Sequence, residues 1–195
     1  MSTTARWTSA DLLALPDDDG KRREIIDGEL IVSTQPHFCH QVVCNRFGGQ
    51  LDDWSIETSL GVAATAPGLI FAEDQDVVPD VIWVSNTRLA TILHGGKLYG
   101  APELVIEVLS PGSKNINRDR TAKLGLYSRR GVDEYWITDW PQHRVEVYRR
   151  ETGQLVLVTT LGPGDTLTSP LLPGFALPLD RLFAGIPFGV SEDEE

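Results

Sequence analysis

The stretch Leu104-Val105-Ile106-Glu107-Val108-Leu109 decides how this chain is read. Aliphatic side chains fill every position but one, and Ser110-Pro111-Gly112 follows as a stop. That is the pattern of a strand covered on both faces. An isolated buried charge is very costly, so Glu107 must escape to the sheet edge, be protonated, pair with a cation or bind a metal ion. From this strand alone two roles stay open, a structural ion pair with an arginine and metal ligation.

Upstream, Val78-Pro79-Asp80 opens a second apolar run, Val81-Ile82-Trp83-Val84, so Asp80 sits where it could face Glu107 across a sheet. A lone Asp at a strand start is usually a turn-former. As a pair, the two carboxylates offer the hard oxygen ligands that Mg²⁺ or Mn²⁺ prefers, with a backbone carbonyl and waters to complete the shell.

Working outward, Asp27-Gly28 lies between Glu24-Ile25-Ile26 and Leu30-Ile31-Val32. Both turn residues tolerate positive φ, which predicts a β-hairpin. Thr8 or Ser9 followed by Asp11 and a leucine stripe predicts a short capped helix ending at Pro16. Val43, Phe47, Leu51 and Trp54 recur at helical spacing, interrupted only by Gly48 and Gly49. Strands are expected within residues 61–66 and 76–84, a short helix at 89–93, and a basic helix over 117–130 with Ala122, Leu126 and Leu124 inward, stopped at Gly131. Three further strands follow at 134–138, 144–149 and 155–160, the last two joined around Thr152-Gly153. The expected fold is therefore α/β, a mixed central sheet flanked by helices with additional β-hairpins.

A chain of 195 residues with 41% hydrophobic and 23% charged residues has the size and composition of one folded domain. We expect that domain over residues 1–190, with an acidic tail at 191–195. The amino terminus has no basic region leading into an apolar stretch, and no run approaches the roughly 18 apolar residues of a membrane span. A cytoplasmic, membrane-free protein is expected. Cys39 and Cys44 would point to different faces of one helix, so no disulfide is expected, as suits a reducing compartment.

The net charge of −11 argues against a nucleic-acid partner at first sight, because phosphate binding is driven by lysine and arginine. The distribution softens that objection. Asp17, Asp18, Asp19, Glu192, Asp193, Glu194 and Glu195 are peripheral, whereas Lys114, Arg118, Arg120, Lys123, Arg129 and Arg130 lie close together with only Asp119 among them. Local potential matters more than the total.

Val78-Pro79-Asp80 followed by Glu107-Val108-Leu109-Ser110-Pro111 resembles the PD-(D/E)XK nuclease superfamily, and within it the Uma-type restriction endonuclease family. The likeness runs from Glu24-Ile25-Ile26-Asp27-Gly28-Glu29-Leu30 through Gly131-Val132-Asp133-Glu134-Tyr135-Trp136 to Val145-Glu146-Val147-Tyr148. It implies a restriction-endonuclease-like fold and a Mg²⁺- or Mn²⁺-dependent endonuclease acting on DNA, with RNA the other candidate substrate. Asp80 and Glu107 would be metal ligands and the backbone carbonyl of Val108 a third. A homodimer would suit cutting both strands of a duplex.

The resemblance also implies a lysine two positions after the acid, and there this chain has Leu109. An apolar side chain can neither orient water nor stabilise charge on phosphate. Lys123, on the following helix and one turn before Tyr127, is the substitute, with Lys114 second. Read without the resemblance, Lys123 is a solvated helix lysine. Glu29 matches a family acid and would be an outer metal ligand or a water-facing hairpin residue. His40 matches a family histidine and would touch substrate or a metal-bound water, or be a structural histidine. Tyr127, Arg118 and Arg120 are further expected substrate contacts, the arginines through phosphates.

Two rivals belong beside this reading. One is a binding module of the same fold in which Glu107 merely pairs with Lys123. The other is a metal-dependent phosphatase. His37, Cys39, His40 and Cys44 could also suggest zinc, but such ligands normally come as two separated pairs. There is no phosphate-binding glycine loop and no nucleophile elbow.

Overall fold

The computed structural model describes residues 6–15, 21–110 and 118–189. The acidic loop Asp17 to Asp19, Pro16, the stop at Pro111-Gly112, Lys114, Asn117 and the acidic tail lie outside them.

Helix α1 (Ser9–Leu13) starts at Thr8, whose side chain and that of Asp11 cap each other's backbone amides. Strands β1 (Arg22–Ile26) and β2 (Glu29–Ser33) form the expected hairpin, with Asp27 at φ 51° and Gly28 at φ 80° between the Ile26 and Glu29 partners. Helix α2 (Phe38–Thr58) runs straight through Gly48 and Gly49. A Cβ on Gly48 would lie 2.8 Å from Thr65 Cγ2, so this glycine lets the helix approach the neighbouring strand rather than breaking it.

Then come β3 (Gly61–Thr65), β4 (Leu69–Ala72), β5 (Gln75–Val77), β6 (Val81–Ser85), α3 (Asn86–Ile92), β7 (Leu93–His94), β8 (Lys97–Leu98) and β9 (Leu104–Val108). The basic segment differs from the uniform helix expected. Residues Arg118–Lys123 form a π-helical turn, and only Leu124–Arg130 is α-helical, our α4, closed by Gly131 at φ 92°. Strands β10 (Glu134–Asp139), β11 (Arg144–Glu151), β12 (Gln154–Leu161), β13 (Thr166–Ser169) and β14 (Leu172–Pro178) and helix α5 (Leu179–Leu182) complete the order.

The mixed α/β architecture is as expected, and the strands divide between two large sheets. One has the order β2-β1-β5-β4-β8-β7 and the other β12-β11-β10-β9-β6-β3, with a β13-β14 hairpin apart. In the second sheet β9 and β10 are parallel and β6 runs antiparallel to β9. Its two faces bury different things. Ile106, Val108, Trp136 and Val147 pack against Phe47 and Leu51 of α2 and against Phe175. Val105, Leu109, Tyr135 and Ile137 pack against Leu126 and Tyr127 of α4 and against Ile26, Leu69 and Val77 of the first sheet. Among the described residues no helix is long and apolar enough to cross a membrane.

Candidate active site between the two sheets

Side chains alternate along a strand, so the turn of β9 that sends Ile106 and Val108 toward α2 sends Glu107 toward the first sheet and α4. Glu107 is 2% exposed and does have the positive neighbour it needs. Lys123 Nζ, itself 1% exposed, lies 2.9 Å from Glu107 and 3.1 Å from Glu24, with Asp119 at 3.7 Å. Tyr127, one turn along the helix from Lys123, donates its hydroxyl to Glu107 at 2.7 Å. The π-turn puts Asp119 and Lys123 on the same inward side.

Asp80 stands at the sheet margin, just before β6. Its Oδ2 accepts the Val108 amide at 2.9 Å, which ties it to the strand of Glu107. The same oxygen lies 3.2 Å from His40 Nε2, and Oδ1 accepts from Arg22 at 2.9 Å. Behind it, His40 Nδ1 is 3.5 Å from Cys44 Sγ. Arg22 also lies 3.6 Å from Glu24, so β1 contributes both an acid and a base to the cluster.

The electrostatics follow from this enclosure. Burial would raise Asp80, but its hydrogen bond and charge interaction with His40, together with Arg22 and Lys123, outweigh it and hold the carboxyl below the ordinary range. Burial also acts on Glu24, where Lys123, Arg22 and the Val78 amide reverse it and keep the acid low. Glu107 goes the other way. Burial, helped by Asp80, Asp119 and Glu24, overcomes Lys123 and pushes it up to about 8. Lys123 is held above the usual lysine range, because Glu107, Glu24 and Asp119 together exceed the penalty of burial. Burial pushes the Cys44 thiol up, with Asp80 and Glu107 adding to it, and drives Tyr127 well above its usual value.

Four buried carboxylates, Glu24, Asp80, Glu107 and Asp119, thus surround Arg22, Arg118 and Lys123, one formal negative charge in excess. The raised Glu107 is the sign of that excess. Glu24, Asp80 and Glu107 present hard oxygens, so both the charge and the donor chemistry fit a divalent ion such as Mg²⁺ or Mn²⁺. Among the described residues, three metal-type donors lie within 4.8 Å of one another in one place, His40, Cys44 and Asp80.

The sequence-expected residues separate into two groups. Asp80, Glu107, Val108, Lys123, His40 and Tyr127 come together. His40 and Tyr127, expected to meet substrate, are enclosed at 3% and 0% exposure and grip Asp80 and Glu107 instead. Glu29, expected as an outer metal ligand, is exposed on the outermost strand of its sheet and is not in the cluster. Glu24, on the facing strand, stands where Glu29 was expected. Arg118 pairs with Asp119 at 3.1 Å, while Arg120 reaches Asp139 and Glu146, on β10 and β11. Leu109 is 2% exposed, packed in the core. His37 caps α2 through the Cys39 amide and stacks on Trp140.

Three residues of the cluster escaped the sequence reading: Glu24, Arg22 and Asp119. The first two carried a usable signal. In a strand Arg22, Glu24 and Ile26 share one face, and an acid two positions before a core isoleucine has the same meaning as Glu107 inside its own strand.

The chain matches the Uma2 family, described as "Putative restriction endonuclease", over residues 9–180. Among solved structures it is similar to a "putative nuclease belonging to DUF820" from Anabaena variabilis, at 20% identity and a TM-score of 0.72, over 90% of this chain and 97% of that one. Among curated proteins nothing matches it. The chain belongs to the Uma2 family.

Proposed function

We propose that this Uma2-family chain is a Mg²⁺- or Mn²⁺-dependent endonuclease that hydrolyses phosphodiester bonds of DNA. The observation that carries the reading is Lys123. It crosses from the helix to place its amine 2.9 Å from the Glu107 carboxylate, supplying the cation that Leu109 cannot. Asp80 and Glu107 would hold the metal, with the Val108 carbonyl and, in place of Glu29, Glu24 beside them. A divalent ion there would polarise the scissile phosphate and lower the pKa of an attacking water.

The chain's own residues divide the remaining work. Lys123 positions that water or neutralises charge building on the phosphate. Tyr127 and His40 fix the carboxylates of Glu107 and Asp80, and Arg22 keeps Asp80 ionised. Arg118 and Arg120 would contact backbone phosphates in exchange for their present acidic partners, without sequence preference. A homodimer would bring two such sites to two strands. A cytoplasmic location suits this substrate.

One observation favours a second reading. Lys123 already satisfies two carboxylates, as it would in a binding module that never turns over. Incubating the full chain with single- and double-stranded DNA and single-stranded RNA in Mn²⁺, beside Asp80→Asn and Lys123→Ala, separates them. Nicking by the wild-type protein, lost in both variants, is expected. Full activity in Asp80→Asn would remove the site, binding without turnover would select the module, and release of free phosphate would select a phosphatase. If only Lys123→Ala is unaffected, the relocated lysine alone is wrong and Lys114 is next.

A further inference from the structure

His40 and Cys44 are four residues apart on α2, so both project from one helical face, and that face meets Asp80. One ring nitrogen, the sulfur and one carboxylate oxygen lie within 4.8 Å of one another, all three residues buried. The geometry points to a second metal site here, built for Zn²⁺ or a similar transition ion rather than for Mg²⁺, and sharing Asp80 with the carboxylate cluster. It rests on the nuclease reading only through that shared residue.

The donor chemistry chooses the ion. A thiolate and an imidazole suit zinc, whereas Mg²⁺ demands an octahedron of oxygens. With Zn–S near 2.3 Å and Zn–N near 2.0 Å, a tetrahedral ion holds its sulfur and nitrogen ligands about 3.5 Å apart. His40 Nδ1 and Cys44 Sγ stand 3.5 Å apart. Three protein ligands leave a fourth position open, as in catalytic rather than structural zinc sites. Glu107 adds negative potential at the thiol, which favours a cation, while Arg22 holds only the far oxygen of Asp80 and leaves the one beside His40 to the ion.

Without metal, the three groups form a relay in which Nδ1 faces Cys44 and Nε2 faces Asp80. Binding replaces the proton shared between Nδ1 and Sγ, and the thiol proton leaves to solvent as the thiolate–metal bond forms. A single ion takes only one ring nitrogen. On Nδ1 it keeps the sulfur contact as it stands, and an Asp80 oxygen, at rest beside Nε2, moves inward as the third ligand.

Titrating the metal-free full chain with Co²⁺ in the absence of nucleic acid tests this. A near-ultraviolet thiolate-to-cobalt charge-transfer band is expected, displaced by stoichiometric Zn²⁺ but not by excess Mg²⁺. Cys44→Ser should lose the band and weaken Zn²⁺ at least tenfold, while Cys39→Ser should keep both. A wild-type titration without the band, or a band that follows Cys39, overturns the site and leaves a hydrogen-bond relay. The wild-type spectrum decides the matter even if Cys44→Ser misfolds. Because no DNA is present, a failure here is distinguishable from failed cleavage in Mg²⁺.

Discussion

Two faces of one sheet meet at β9, and they are built on opposite principles. Toward α2, Ile106, Val108, Trp136 and Phe47 make an apolar layer whose stability comes from area removed from water. Toward the first sheet, Val105, Leu109 and Tyr135 surround Glu107, Lys123, Glu24 and Asp119, charges that would be more comfortable in water. A buried pair of this kind is weak evidence for stability, since desolvation can exceed the Coulombic gain. The first face holds the protein together, and the second spends some of that stability on keeping charged groups in place.

The largest test removes one residue from each face. Trp136→Ala should cost about 3–5 kcal/mol by leaving a cavity. Lys123→Ala should cost a similar 3–5 kcal/mol, because it strands buried carboxylates without a cation. Denaturant unfolding measures both, and a double variant separates them. Glu107→Gln with Lys123→Met, an uncharged replacement of similar volume, should recover part of the loss, short of all of it because Glu24 and Asp119 still lose Lys123, while cleavage stays absent. No second substitution on the apolar face should do the same for Trp136→Ala. If the double variant is as unstable as Lys123→Ala, the contrast between the faces is wrong.

Next in size is Tyr127→Phe, which deletes one hydrogen bond to a charged group and should cost about 1.5–3 kcal/mol. The pH dependence sharpens the same contrast. Glu107 titrates at about 8 when folded against an ordinary 4.5, so the folded state holds an extra proton between those values. Stability in the presence of a chelator should be highest at the low end of that window and fall as pH rises through about 8. Glu107→Gln should flatten this slope, and a slope of the opposite sign would contradict the raised value. Below pH 3.8 the depressed Asp80 acts in reverse, and its protonation removes stability. The smallest effect is at the surface. Arg129 and Asp27 pair at 2.9 Å but are each 54% exposed, so Arg129→Ala should change stability by less than about 1 kcal/mol.

Elements carried by local chemistry were legible in the sequence. Asp27-Gly28 and Thr152-Gly153 both adopt the positive φ values that their two-residue turns require. The strand of Glu107 was equally clear, because an acid inside an aliphatic run has few outcomes. Glu29 lies outside the cluster and Glu24 inside it although both belong to one hairpin, because only the pairing of β1 with β5 decides which strand lies inside. The short β7-β8 and β13-β14 hairpins were missed since their strands carry little periodicity, and β4 was hidden behind Pro67-Gly68. The π-turn was beyond periodicity altogether. An ordinary helix fits the same residues, and only tertiary packing selects the wider winding.

That turn gives Asp119 a delicate address. A π-turn contains one residue more than an α-helical turn, and each residue of an α-helix advances the chain by about 100°. Deleting one residue between Arg118 and Lys123 would let the segment relax to ordinary helix and leave Leu126 and Tyr127 in register with the core. Lys123, one turn before Tyr127, would keep its place beside Glu107, whereas Arg118 and Asp119 would turn by about 100° and leave the cluster without its fourth carboxylate.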